Sequence, residues 1–219
     1  MTDQPRARLR RHLAQHAARL MAVDGITSFA LAKQKAAQQL GVKDPRRWPD
    51  NREVERALAG YQRLFQGSDQ EVKLARLRQA ALEAMRFLAA FQPRLVGPVL
   101  SGTATECCPV CVHVFSDTAE EVALALSEVG IAYRSADRRL RIDPKRSQSY
   151  PVHRFFAGEI AFEIIVFPLK GLRQAPLSPV DGRPMPRAHI GALEKLLRAS
   201  TGTLNASSLG VIDPGLASG

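Results

Sequence analysis

The chain has 219 residues, with 31 Lys+Arg against 21 Asp+Glu, a formal charge of +10 and a 45% hydrophobic content. A chain this apolar can bury a core, which excludes wholesale disorder. Three cysteines are too few, and odd in number, for a disulfide scaffold. Residues 1–92 hold 17 Lys+Arg and 9 Asp+Glu, a net of +8, whereas residues 93–219 hold 14 and 12. A basic segment on a near-neutral body suggests an acidic partner, nucleic acid first and anionic membrane second. A solvated arginine-rich surface is the plainer reading of the charge alone. No apolar run approaches the roughly 20 residues needed to span a bilayer, and Met1–Pro5 lacks the apolar core of a signal peptide. The expectation is a cytoplasmic, bacterial-type protein with no membrane association.

Residues 1–92 are expected to form a basic all-helical segment. Leu9, Leu13 and Leu20, set among alanines and arginines, mark a helix over 6–22, stopped by Asp24-Gly25. A second helix covers 28–40, with Ser28 as N-cap and Gly41 just past its end. Pro45 and Pro49 bracket a loop carrying Arg46, Arg47 and the sole tryptophan, Trp48. Asp50 and Glu53 have the spacing of a capping box for a third helix, whose Val54, Leu58, Tyr61 and Phe65 define one buried face. Ser68 with Glu71 repeats that spacing before a fourth helix, striped by Leu74, Leu77, Ala81, Met85 and Leu88 and ended by Pro93.

From Pro93 to residue 200 the pattern becomes mixed. Residues 95–100 and 110–115 are short β-prone runs separated by Ser101-Gly102-Thr103. Thr118 and Glu121 cap a helix closed by Gly130, and Ile131–Tyr133 and Arg139–Ile142 read as strands around a turn at Ser135-Ala136-Asp137. His153–Ala157 and Ile160–Phe167 form a hairpin through Gly158. Residues 168–186 form a proline-rich loop, a last helix covers 187–199, and 201–219 form a mobile tail. The class is α+β: a helical segment, then a mixed sheet with flanking helices.

The residues with chemistry to explain lie in 95–115. Gly97-Pro98 is followed by ten residues, then Pro109 and Cys111 two apart on the next strand. The segment resembles the nucleotidyltransferase fold of the DNA polymerase beta superfamily, in which a Gly-Ser pair precedes Asp-x-Asp at this spacing. Residues i and i+2 of a strand share a face, so two carboxylates there can hold Mg²⁺. The resemblance places Pro98 at the serine and Pro109 and Cys111 at the aspartates, and Glu163 at the third carboxylate, on a neighbouring strand. Proline offers no ligand and cysteine is soft, so the standard two-metal reaction loses its pair. The resemblance covers about residues 86–200 and implies a degenerate fold member, with Mg²⁺ entering only if Glu163 still serves catalysis.

Three functions stay open: a catalytically inactive protein binding nucleic acid or nucleotide, an active nucleotidyltransferase using Glu163 and an unusual metal set, and a non-enzymatic adaptor for a protein partner. Arginine forks suit phosphates, which makes Arg134, Arg138, Arg139, Arg141 and Arg154, with Arg46 and Arg47, the candidate phosphate contacts. Cys107, Cys108, Cys111 and His113 match a zinc ligand count but are poorly spaced, and buried thiols are the plainer reading.

Overall fold

A computed structural model describes residues 4–208, the side chains of 201–208 excepted. The first helix, α1 (Gln4–Val23), packs against α2 (Phe29–Gln39) and α3 (Asn51–Phe65) around Leu13, Ala17, Ala36, Val54 and Leu58. Small alanines let these helices approach closely, while Trp48 packs at the edge of the cluster and donates from Nε1 to the Val42 carbonyl. Local signals act as expected here. Ser28 Oγ accepts from Leu31 N–H, and Asp50 and Glu53 form a reciprocal capping box.

Helix α4 (Gly67–Phe87) begins almost without a break, and Ser68 makes no cap, because Gln66 occupies the N-cap position. Its Ala81, Leu82 and Met85 belong to the sheet's core rather than to the core of α1–α3. The helical segment expected over 1–92 therefore divides near Gln66 in its packing. Residues 4–66 carry 13 Lys+Arg against 5 Asp+Glu, so the net +8 lies on the α1–α3 unit.

Five strands form one mixed sheet in the order β1-β2-β5-β4-β3, confirming the α+β class. They are β1 (Arg94–Val96), β2 (Val110–Phe115), β3 (Arg134–Arg141), β4 (Ser147–Ala157) and β5 (Ile160–Phe167). Strands β2 and β5 run parallel, and the other neighbouring pairs are antiparallel. Val110, Val112, Val114, Phe162 and Ile164 face α4, the short helix α5 (Gly97–Ser101), α6 (Ala119–Glu128) and α7 (Ile190–Ser208). The opposite face holds a smaller cluster of Phe115, Tyr150, Val152, Ile165 and Phe167.

Several expected boundaries move for identifiable reasons. The run 95–100 is a strand only to Val96, because Gly97 adopts φ +73° and Pro98 sits in the first turn of α5, where its missing N–H costs nothing. The turn expected at 135–137 is absent. Ser135, Ala136 and Asp137 pair in register with His153, Val152 and Pro151, and the reversal falls at Asp143–Arg146, where Asp143 accepts from Lys145 N–H. Thr118 makes no side-chain cap on α6; Ser116 instead accepts from Thr118 N–H and donates to Glu121. Phe65, expected inside, is 71% exposed. The buried row of α3 steps through Val54, Leu58 and Gln62, which turns Phe65 out of the core. The last helix starts at Ile190 rather than 187, and its backbone continues through the first residues of the expected tail; residues 209–219 lie outside the described residues.

Candidate functional site

The end of the sheet where β2 and β5 begin and β4 finishes opens as a cleft of about 840 Å³. Pro109, Tyr133, Arg134, Arg154, Phe156 and Glu163 are among its walls. Register explains the grouping. Cys111 is the Cα partner of Glu163, Glu163 of Arg154, and Arg154 of Arg134, so these four side chains share one sheet face in a line across four strands. Arg138 stands on the same face of β3, an even number of residues from Arg134.

Glu163 is only 13% exposed, in a strand otherwise built of apolar residues. Its charge is answered on both oxygens. Arg154 Nε donates to Oε1 at 2.7 Å, and Arg138 donates to Oε2. Cys111 Sγ lies 3.8 Å from Oε2. Burial, then the neighbouring carboxylate of Glu163, pushes the Cys111 thiol up to about 12, so it stays protonated at neutral pH.

This donor set does not fit Mg²⁺. Pro109 has no ligand atom, Cys111 is a protonated soft thiol, and both oxygens of the one carboxylate are taken by guanidinium groups. Among the described residues no group of three or more His, Cys, Asp or Glu side chains could hold a metal ion. The cysteines do not converge on a zinc site either: Cys107 is exposed, packed by Gly25, and Cys108 contacts Thr105 Oγ1 at 3.2 Å.

The expected arginine group divides. Arg134, Arg138 and Arg154 stand on the Glu163 face, whereas Arg139 and Arg141 alternate to the other side of β3. Arg46 and Arg47 lie on a 3-10 turn (Pro45–Arg47) beside α1 and are not among the cleft's walls. Further along the Glu163 face, Arg187 lies over the rings of Phe115 and Phe167, at 5.1 and 5.2 Å, and donates to His113 Nδ1 and to the Gly171 carbonyl. Desolvation lowers Arg187 to about 10, which leaves it a cation, and burial with that cation holds His113 well below the usual histidine range.

Three buried polar side chains escaped the sequence reading. Gln62 and Gln70 donate to the carbonyl of Ala104, and Arg78 donates to the carbonyls of Val99 and Leu100. They fix the backbone of 99–104, which follows Gly97-Pro98, against the helices. The signal for Gln62 is its place four residues beyond Leu58 on the buried row. With these features described, comparison with known proteins adds no relative: no family model, no curated protein and no solved structure matches the chain.

Proposed function

We propose that this chain is a degenerate nucleotidyltransferase-like protein that binds nucleic acid or nucleotide through arginines and performs no metal-dependent transfer. The observation that carries the reading is the Arg138–Glu163–Arg154 bridge. At the position the resemblance gives to a metal-holding carboxylate, the acid is neutralised by two cations that themselves suit phosphate oxygens. Arg134 adds a third cation on the cleft wall without a carboxylate partner among the described residues. The concentration of net charge on residues 4–66 supplies the longer-range attraction for a polyanion.

Filter binding of the full chain to RNA, DNA and nucleotides over a range of salt tests the reading. Affinity that falls linearly on a log–log salt plot is expected, because each phosphate contact releases counterions. Absence of affinity for all three at low salt rejects it. Incubation with labelled nucleoside triphosphates and Mg²⁺ or Mn²⁺ should give no transfer; transfer abolished by Glu163→Gln would overturn the inactive reading.

A further inference from the structure

A second concave surface, larger than the sheet cleft, is a groove of about 1140 Å³ between α1 and α3. Five arginines line it: Arg6, Arg10, Arg11, Arg19 and Arg56. The single lining carboxylate, Glu53, is already committed to Arg10 at 2.6 Å and to the capping box. Arg11, Arg19 and Arg56 have no carboxylate partner among the described residues. At one end of the groove stand Tyr61 and Phe65, with ring centroids 4.8 Å apart and planes tilted by 38°. Phe65 is 71% exposed, and Leu64 beside it is 75% exposed.

We infer that the α1–α3 groove is a binding site for single-stranded nucleic acid, its arginines tracking phosphates and Phe65, backed by Tyr61, stacking on a base. This rests on the reading that the chain binds nucleic acid, and it adds where and in what form. Two independent features point the same way. A lining of five cations, with its one carboxylate spent on Arg10, suits a polyanion. An exposed phenylalanine leaning on a tyrosine offers a π-face that any unpaired base can cover, whereas a duplex keeps its bases stacked within itself. An acidic protein segment would satisfy the arginines but gives no use for the ring pair.

The test uses the full chain and fluorescein-labelled oligothymidylate or oligouridylate, each read by anisotropy across a salt series. Phe65→Ala, at an exposed position, should weaken binding by about five- to a hundredfold with the salt slope unchanged. Arg11→Gln/Arg19→Gln/Arg56→Gln should flatten the slope by about 2, since each phosphate contact on a single strand contributes roughly 0.7. Urea unfolding of each variant checks that the fold is kept. Wild-type binding that survives both variants, or that is lost only on replacing Arg134 and Arg154, overturns the groove while sparing the broader reading. Displacement by polyglutamate as readily as by oligonucleotide, with no effect of Phe65→Ala, overturns it in favour of an acidic protein partner. Tighter binding of a duplex than of the single strand overturns it as well. Loss of all wild-type binding at low salt removes both this site and the reading beneath it.

Discussion

Replacing Glu163 by glutamine keeps its shape and removes its charge, and the sign of the stability change distinguishes two roles. A carboxylate kept for catalysis is commonly a strained group whose removal stabilises the fold. A carboxylate that serves as a bridge leaves two guanidinium groups facing each other when it is lost. Breaking a fully buried pair costs about 3–5 kcal/mol, whereas an exposed pair contributes about 0.2–1 kcal/mol. Glu163 is 13% exposed, but Arg138 and Arg154 are 39% and 48% exposed and can turn to water. The expected loss for Glu163→Gln is therefore about 1–3 kcal/mol, between the two limits. Urea unfolding of the wild type, Glu163→Gln, Arg138→Met and the double variant measures it, and the cycle isolates the Arg138 coupling. The double variant should lose less than the sum of the singles. Unchanged or increased stability of Glu163→Gln would refute the bridge and return this carboxylate to a catalytic role.

Other outcomes follow from the same geometry. With its thiol pushed up to about 12, Cys111 should resist alkylation at pH 8 in the folded chain, while exposed Cys107 reacts first; peptide mapping after timed labelling reads the order. His113 and His153 are both held below the ordinary histidine range, so the unfolded chain binds protons that the native one refuses. Stability should fall as pH drops through about 6.5, the unfolded value, and His113→Gln should flatten the urea midpoint's dependence on pH there. Gly25→Ala should cost at least about 1–2 kcal/mol, because Gly25 has φ +68° and a Cβ would stand 2.6 Å from Cys107 Sγ; the urea midpoint checks it.

The elements legible in the sequence were those whose signals are local. Ser28, the Asp50–Glu53 box and the Gly158 hairpin each act through neighbours a few residues away, and each is present. Strand β3 carries no such local signal: Ser135-Ala136-Asp137 has turn composition, and only its pairing partner β4 makes it extended. Glu163 stood out as a charge among apolar residues, yet its partners did not. Arg154 and Arg138 reach it through the register of three strands, and that information is spread over residues 134–167. The groove between α1 and α3 was hidden for the opposite reason: Tyr61 and Phe65 fit a helical apolar stripe, and the buried row instead runs through a glutamine. No helix among the described residues is long and apolar enough to cross a membrane, in keeping with the hydropathy.

The central claim is that arginines on this chain take up phosphates without a metal ion. Binding of a labelled single-stranded oligonucleotide to the full chain, between about 50 and 200 mM salt and with EDTA or Mg²⁺ present, tests it most directly. The account predicts affinity that is undiminished by EDTA and declines linearly with the logarithm of salt. Affinity that appears only with Mg²⁺, or none under either condition, would contradict it.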